Sequence, residues 1–230
     1  MDFGRIDLTL DPQEEVRCRK RFRPIIKEFG SRTKFTHKEL EGLLIIYHKL
    51  TKNQPMDRKY FRRVMFTILN FQNDALIDRI FSAIDRNNKL VVTMDSWILG
   101  MSIFLRGDLN ERIKFCFTVY DMMGDGYIKR EHMFQALKNS LRGNPHDEDP
   151  EEQVKDMIDI ILKKMDHDRD GRLSYEDYRK SVWENPSLLE ILGYCLPARP
   201  AVYMFMTTFT DLVSTLHVRM MKRRTRHHSE

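Results

Sequence analysis

A chain of 230 residues, 41% hydrophobic and 32% charged, carries enough apolar material for one or two packed domains and is not a disordered polymer. Its three cysteines, Cys18, Cys116 and Cys195, stand far apart, and no uncharged apolar run reaches 18 residues, which argues against a disulfide scaffold, a paired-cysteine zinc motif and a membrane span. The formal charge of +5 is uneven, with 17 basic against 11 acidic residues over 1–80, 17 against 21 over 81–200, and 5 against 2 over 201–230, a pattern suited to docking on an acidic surface.

The first helix is expected within a basic leading segment, 1–34, where Val16, Phe22, Ile25, Ile26 and Phe29 supply an apolar side. Nothing in this opening has the apolar core of a secretory signal, so a cytoplasmic location is expected. Thr36 followed by Glu39 has capping-box spacing and introduces Leu40, Leu43, Leu44, Tyr47 and Leu50 at helical period. A partner helix starts near Asp57 with Phe61, Val64, Met65, Ile68 and Leu69 on one face. The same pattern returns at Leu76, Ile77, Ile80, Phe81 and Ile84, and again at Trp97, Ile98, Met101 and Leu105. Asp108 and Glu111 form a second capping-box pair ahead of Ile113, Cys116, Phe117 and Tyr120. Met133, Phe134, Leu137 and Leu141 mark the next helix, and a polar loop broken by Pro145 and Pro150 separates it from Val154, Met157, Ile158, Ile161 and Met165. A shorter helix carries Tyr178 and Val182. Beyond Pro197 and Pro200, an amphipathic helix is expected over 201–221, with Phe205, Phe209, Leu212 and Leu216 in its apolar stripe and Arg223, Arg224 and Arg226 in the basic end that follows. That tail is expected either to pack back on the body or to contact a partner; a membrane-surface role is the weakest option.

The helices pair around loops, and one loop carries a chemistry. In DHDRDGRLSYED, Asp166, Asp168 and Asp170 occupy positions 1, 3 and 5, where alternate oxygens converge on one hard cation. Gly171 permits the turn at position 6, the Arg172 carbonyl faces inward at position 7, and Ser174 at position 9 can act directly or through water. Asp177 closes the loop with a carboxylate shorter than the usual Glu, which weakens calcium and favours magnesium by comparison. His167 is expected to be exposed and not a ligand. A second loop, DMMGDGYIKREH, keeps Asp121, Asp125 and the Tyr127 carbonyl, but Met123 removes the oxygen at position 3, Lys129 brings a cation to position 9, and His132 replaces the closing carboxylate. It is expected to persist as a structural partner, with Ile128 and Leu173 paired at position 8 of the two loops. A third loop, 85–96, has Lys89, Leu90 and Ser96 at positions 5, 6 and 12 and is expected to hold no metal; the first, around Thr51 to Lys59, has no acidic triad.

These loops, with the stretches SIFLRGDLNERIKFCFTVYD, LKKMDHDRDGRLSYEDY and LGYCLP, resemble EF-hand calcium sensors related to neuronal calcium sensors and the calcineurin regulatory subunit, and most of all the branch associated with ciliary outer-arm dynein. The expected fold is therefore all-α: four EF-hand helix–loop–helix units in two pairs, joined by short two-stranded ribbons, with an additional C-terminal amphipathic helix. Segments 1–34, 35–105, 106–183 and 184–230 would be the leading segment, the degenerate pair, the second pair and the C-terminal extension. The resemblance implies attachment to the docking machinery of outer dynein arms on doublet microtubules of a cilium or flagellum. The cofactor is Ca2+, weakly and at one site at most, or Mg2+, or none. An alternative is regulation of an enzyme through an amphipathic target helix. No homeodomain, RNP or zinc-finger spacing points to nucleic acid, and no local acid–base arrangement around Cys116 or Cys195 points to catalysis.

Overall fold

In a computed structural model, residues 9–85, 89–138 and 150–210 are described. The fold is all-α with one two-stranded ribbon among these residues, and its contacts divide it into two compact units.

The first unit holds 9–72, 89–106 and 197–210. Its helices are α1 (Pro12–Gly30), α2 (His37–Thr51), α3 (Arg58–Leu69), α5 (Met94–Arg106) and α10 (Arg199–Met206). Cys18, Phe22, Ile26 and Phe29 recur at helical spacing on α1 and are buried, which turns that face toward α2 and leaves the cations outside. Thr36 and Glu39 complete the capping box that starts α2, and the Asp57 side chain accepts from the Tyr60 N–H to start α3. The first two loops meet through an antiparallel bridge between Asp57 and Val91, with the Val92 N–H donating to the Met56 carbonyl at 2.9 Å. Trp97 on α5 is buried, and its indole N–H donates to the Leu43 carbonyl at 3.3 Å.

The C-terminal helix packs on α3 and α5, burying Phe205 and, just beyond it, Phe209. Phe209 lies so close over Gly42 that a Cβ there would stand 2.8 Å from its own, so only glycine fits without a shift. This helix is shorter than the expected 201–221 span and ends at Met206. The hydroxyls of Thr207 and Thr208 donate back to the carbonyls of Met204 and Phe205, each at 2.7 Å, and take acceptors near the helix end.

The second unit holds 73–85, 107–138 and 150–196. It contains α4 (Asp74–Ile84), α6 (Leu109–Tyr120), β1 (Tyr127–Ile128), α7 (Arg130–Lys138), α8 (Pro150–Met165), β2 (Leu173–Ser174), α9 (Tyr175–Glu184) and a 3-10 turn, Pro186–Glu190. The Asn73 side chain caps α4, whose apolar stripe packs on α6. Asp108 and Glu111 cap α6 reciprocally, as their spacing predicts. Strands β1 and β2 pair antiparallel with Tyr127 opposite Ser174 and Ile128 opposite Leu173, and both Ile128 and Leu173 are fully buried. The four helix–loop–helix units are thus α2–α3, α4–α5, α6–α7 and α8–α9. By contacts, 73–85 groups with the later helices and 197–210 with the earlier ones.

Candidate metal centre

The loop between α8 and α9 is organised by its own carboxylates. Asp166 accepts the Arg169 N–H on Oδ1 at 2.7 Å and the Gly171 N–H on Oδ2 at 2.9 Å, which folds the chain back over it. Gly171 takes a φ of 82°, a conformation L side chains resist, and Arg169 takes 61°. Asp177 sits at the third position of α9, where its carboxylate and the Ser174 side chain cap the helix reciprocally. It is 7% exposed and also accepts the His167 N–H at 3.3 Å, so the last residue of the loop is tied to the second.

Among the described residues, Asp166, Asp168 and Asp177 make the one acidic cluster close enough to share a metal ion, with one carboxylate oxygen of each within 4.8 Å of the others. Partial desolvation, a side-chain hydrogen bond with Asp166 and the negative charges of Asp170 and Asp177 push the Asp168 carboxyl above its usual range. Negative charge gathered this closely is stabilised by a cation, and an all-oxygen set suits a hard divalent ion such as Ca2+ or Mg2+. These residues fit such an ion.

Two side chains of the expected shell are engaged with protein groups. Asp170 is not part of the cluster: its carboxylate accepts from Arg172 Nε at 2.6 Å, and this ion pair holds its pKa down. The Arg172 guanidinium in turn lies 3.7 Å over the Tyr127 ring, so a side chain expected only to lend its carbonyl also bridges the two loops. The Ser174 hydroxyl is engaged with Asp177 at 2.6 Å as a helix cap. The Ser-x-x-Asp spacing, a capping-box signal, could have revealed this from sequence. His167 is exposed as expected, and its Nε2 lies 3.0 Å from the Ser181 hydroxyl.

The loop between α6 and α7 has the same frame without the same donors. Asp121 accepts the Gly124 and Gly126 N–H groups at 2.9 and 2.8 Å. Asp125 accepts the Tyr127 N–H at 3.2 Å and is ion-paired with Lys129, which lowers its pKa. Met123 is 72% exposed, and His132, where the closing carboxylate would be, is buried with Nδ1 unpartnered. In the loop before α5, Leu90 occupies the glycine position with φ 59°, so the turn is kept there against its side chain's preference.

The residues expected to meet a partner divide in two. Phe205 and Phe209 are buried within the first unit, 5.3 Å apart ring to ring, and present no surface; Leu212, Leu216, Arg223, Arg224 and Arg226 lie outside the described residues. Sequence reading missed the use made of Glu39. Besides capping α2, it is buried and ion-paired with Arg106; burial would raise its pKa, but hydrogen bonds from Thr36 and Thr210 and the Arg106 charge hold it below the usual value.

Comparison with known proteins agrees with this geometry. An EF-hand domain-pair family model matches residues 110–182. Calaxin of Xenopus laevis is 42% identical over 186 residues, 77% of this chain and 89% of that protein. Calaxin of Homo sapiens is 48% identical over 142 residues, 62% and 67% of the two chains. Calcineurin B of Naegleria gruberi is 30% identical over 160 residues, 68% and 86%. With the paired hands, the ribbon and the carboxylate loop in place, these likenesses show that the chain belongs to the calaxin family of the EF-hand calcium sensor superfamily.

Proposed function

We propose that this protein is a non-enzymatic EF-hand adaptor with one weak divalent-cation site, attached to the outer dynein arm docking machinery of ciliary or flagellar doublet microtubules. The observation that carries the reading is the contrast inside one EF-hand pair: three carboxylates converge in 166–177, while Met123 and His132 replace the acids at positions 3 and 12 in 121–132. Asp166, Asp168 and Asp177 would hold the ion, which draws the loop together by neutralising their charge. The short Asp177 side chain and the diversion of Asp170 to Arg172 both weaken calcium and leave magnesium a competitor.

Location at the axoneme rests on the likeness to calaxins and on the charge of α1. Arg17, Lys20, Arg21, Arg23 and Lys27 are all exposed there, a surface suited to acidic partners in a docking complex or on the doublet itself. No helix among the described residues is long and apolar enough to cross a membrane. A second reading, regulation of an enzyme through an amphipathic target helix, draws on the 30% identity to calcineurin B.

Fractionation tests the two against each other. Isolated axonemes extracted stepwise with salt are expected to release the protein together with docking-complex components. Recovery wholly in the soluble fraction, bound to the catalytic chain of an enzyme, would support the second reading instead.

A further inference from the structure

Two buried thiols, 79 residues apart in sequence, meet inside the second unit: the Sγ atoms of Cys116 and Cys195 are 3.1 Å apart and both residues are fully buried. Cys116 is on the inner face of α6, and Cys195 lies in the irregular segment after the 3-10 turn. That segment is fixed on both sides of Cys195. The Tyr120 hydroxyl donates to the Gly193 carbonyl at 2.6 Å, the Leu196 N–H donates to the Glu190 carboxylate at 2.8 Å, and the Tyr178 hydroxyl donates to the Leu189 carbonyl. With the backbone so held, the sulfurs need to approach by only about 1 Å to reach bonding distance.

We propose that Cys116 and Cys195 form an intramolecular disulfide when the protein meets a low-molecular-weight disulfide such as oxidised glutathione. Both loops, 121–132 and 166–177, lie between these cysteines, so the bond would close the third and fourth hands into one covalent ring. Burial raises the Cys116 thiol well above its ordinary pKa, so thiolate is scarce in the closed state and reaction follows local opening of the segment that carries Cys195. The opened Cys195 thiol loses its proton and attacks one sulfur of the glutathione disulfide, forming a mixed disulfide and releasing one glutathione thiolate. As the segment closes, Cys116, having lost its proton, attacks the Cys195 sulfur and releases the second. Two protein thiols are oxidised by two electrons, one glutathione disulfide is reduced to two glutathione molecules, and the protons pass to the released thiolates. Cys18, buried on α1 in the first unit, serves as the internal control.

The test uses the full chain incubated with oxidised glutathione, alkylated under denaturing conditions and mapped by mass spectrometry without reduction. The expected result is a crosslinked peptide pair containing Cys116 and Cys195, with Cys18 alkylated. The melting temperature should rise on the order of 10 °C, reversibly with dithiothreitol, because ring closure restrains the unfolded chain. Cys195→Ser should show neither crosslink nor shift; if it does not fold, Cys116→Ser serves the same purpose, and the mapping of the unsubstituted chain stands without either. Three alkylated thiols after incubation at a temperature that opens the segment, mixed glutathione adducts alone, or a crosslink involving Cys18 would each overturn the proposal.

Discussion

The loops 121–132 and 166–177 share a backbone frame and differ in what it can hold. In each, the first Asp accepts two backbone N–H groups from positions 4 and 6: Gly124 and Gly126 on Asp121, Arg169 and Gly171 on Asp166. In each, the Asp at position 5 is paired with a cation from its own loop, Lys129 or Arg172. The two therefore separate at positions 3 and 12, where Met123 and His132 stand against Asp168 and Asp177. An EF-hand loop can thus keep its shape without its metal chemistry, because the first acid accepts the backbone N–H groups that fold the turn with no ion present.

The largest expected effect tests whether apolar packing, and not the loop acids, holds the pair together. Phe117 is 6% exposed, with ring centroids 5.2 Å from Tyr175 and 5.8 Å from Tyr178. Phe117→Ala should cost about 3–5 kcal/mol in chemical unfolding through the cavity it leaves. Asp121→Ala, which removes two hydrogen bonds from an exposed turn, should cost about 1 kcal/mol. Similar losses from both would show that the acid holds more than its own loop. Phe134, expected from sequence to be an equal part of the core, is only half-buried, with Lys138 Nζ 5.5 Å from its ring centroid; Met133 takes the fully buried place.

The site comparison is sharpened by calorimetric titration. One calcium site is expected, at or weaker than about 10⁻⁵ M and displaced by magnesium. Asp166→Ala should abolish it, whereas Asp121→Ala should leave affinity within about twofold, since the third-hand loop lacks converging ligands. Loss of calcium binding in both variants, or two sites tighter than about 10⁻⁶ M in the unsubstituted chain, would break the contrast. The converse is gain of a site: Met123→Asp, Lys129→Ser and His132→Glu together restore the missing donors and free Asp125. A titration of that triple variant should show two sites; a single site would mean that the loop frames differ in more than their side chains.

Much of this contrast was legible in the sequence because it is local. Capping boxes at Thr36 and Asp108 and the alternating acids follow from short-range spacing, and the pairing of Ile128 with Leu173 from their shared position in two registered loops. What escaped was set by residues distant in the chain. The Glu39–Arg106 ion pair spans 67 positions and the Cys116–Cys195 contact 79, and no helical period predicts either. The apolar stripe of α4 announced a helix but not that α6 would cover it, since a stripe specifies burial without naming its partner. At the early end of α10 the Thr207 and Thr208 hydroxyls bond back to the chain, a choice their types permit but do not dictate.

The smallest expected effect concerns the turn that both metal-type loops build with glycine. Gly126 and Gly171 adopt φ of 85° and 82°, and Leu90 holds the equivalent position of the second hand at 59°. For an L side chain that conformation costs roughly 1–2 kcal/mol, from crowding of Cβ against the backbone. The Leu90 side chain is 69% exposed, so little packing offsets the strain. Leu90→Gly should relieve it, while the added freedom of the unfolded chain takes back roughly 0.5–1 kcal/mol. The net expectation is a gain of about 0.5–1 kcal/mol in denaturant unfolding, with no new calcium site, because Lys89 and Ser96 still occupy positions 5 and 12. A loss of stability would mean that Leu90 makes contacts worth more than the strain, and that the second hand's turn is held by its side chain and not in spite of it.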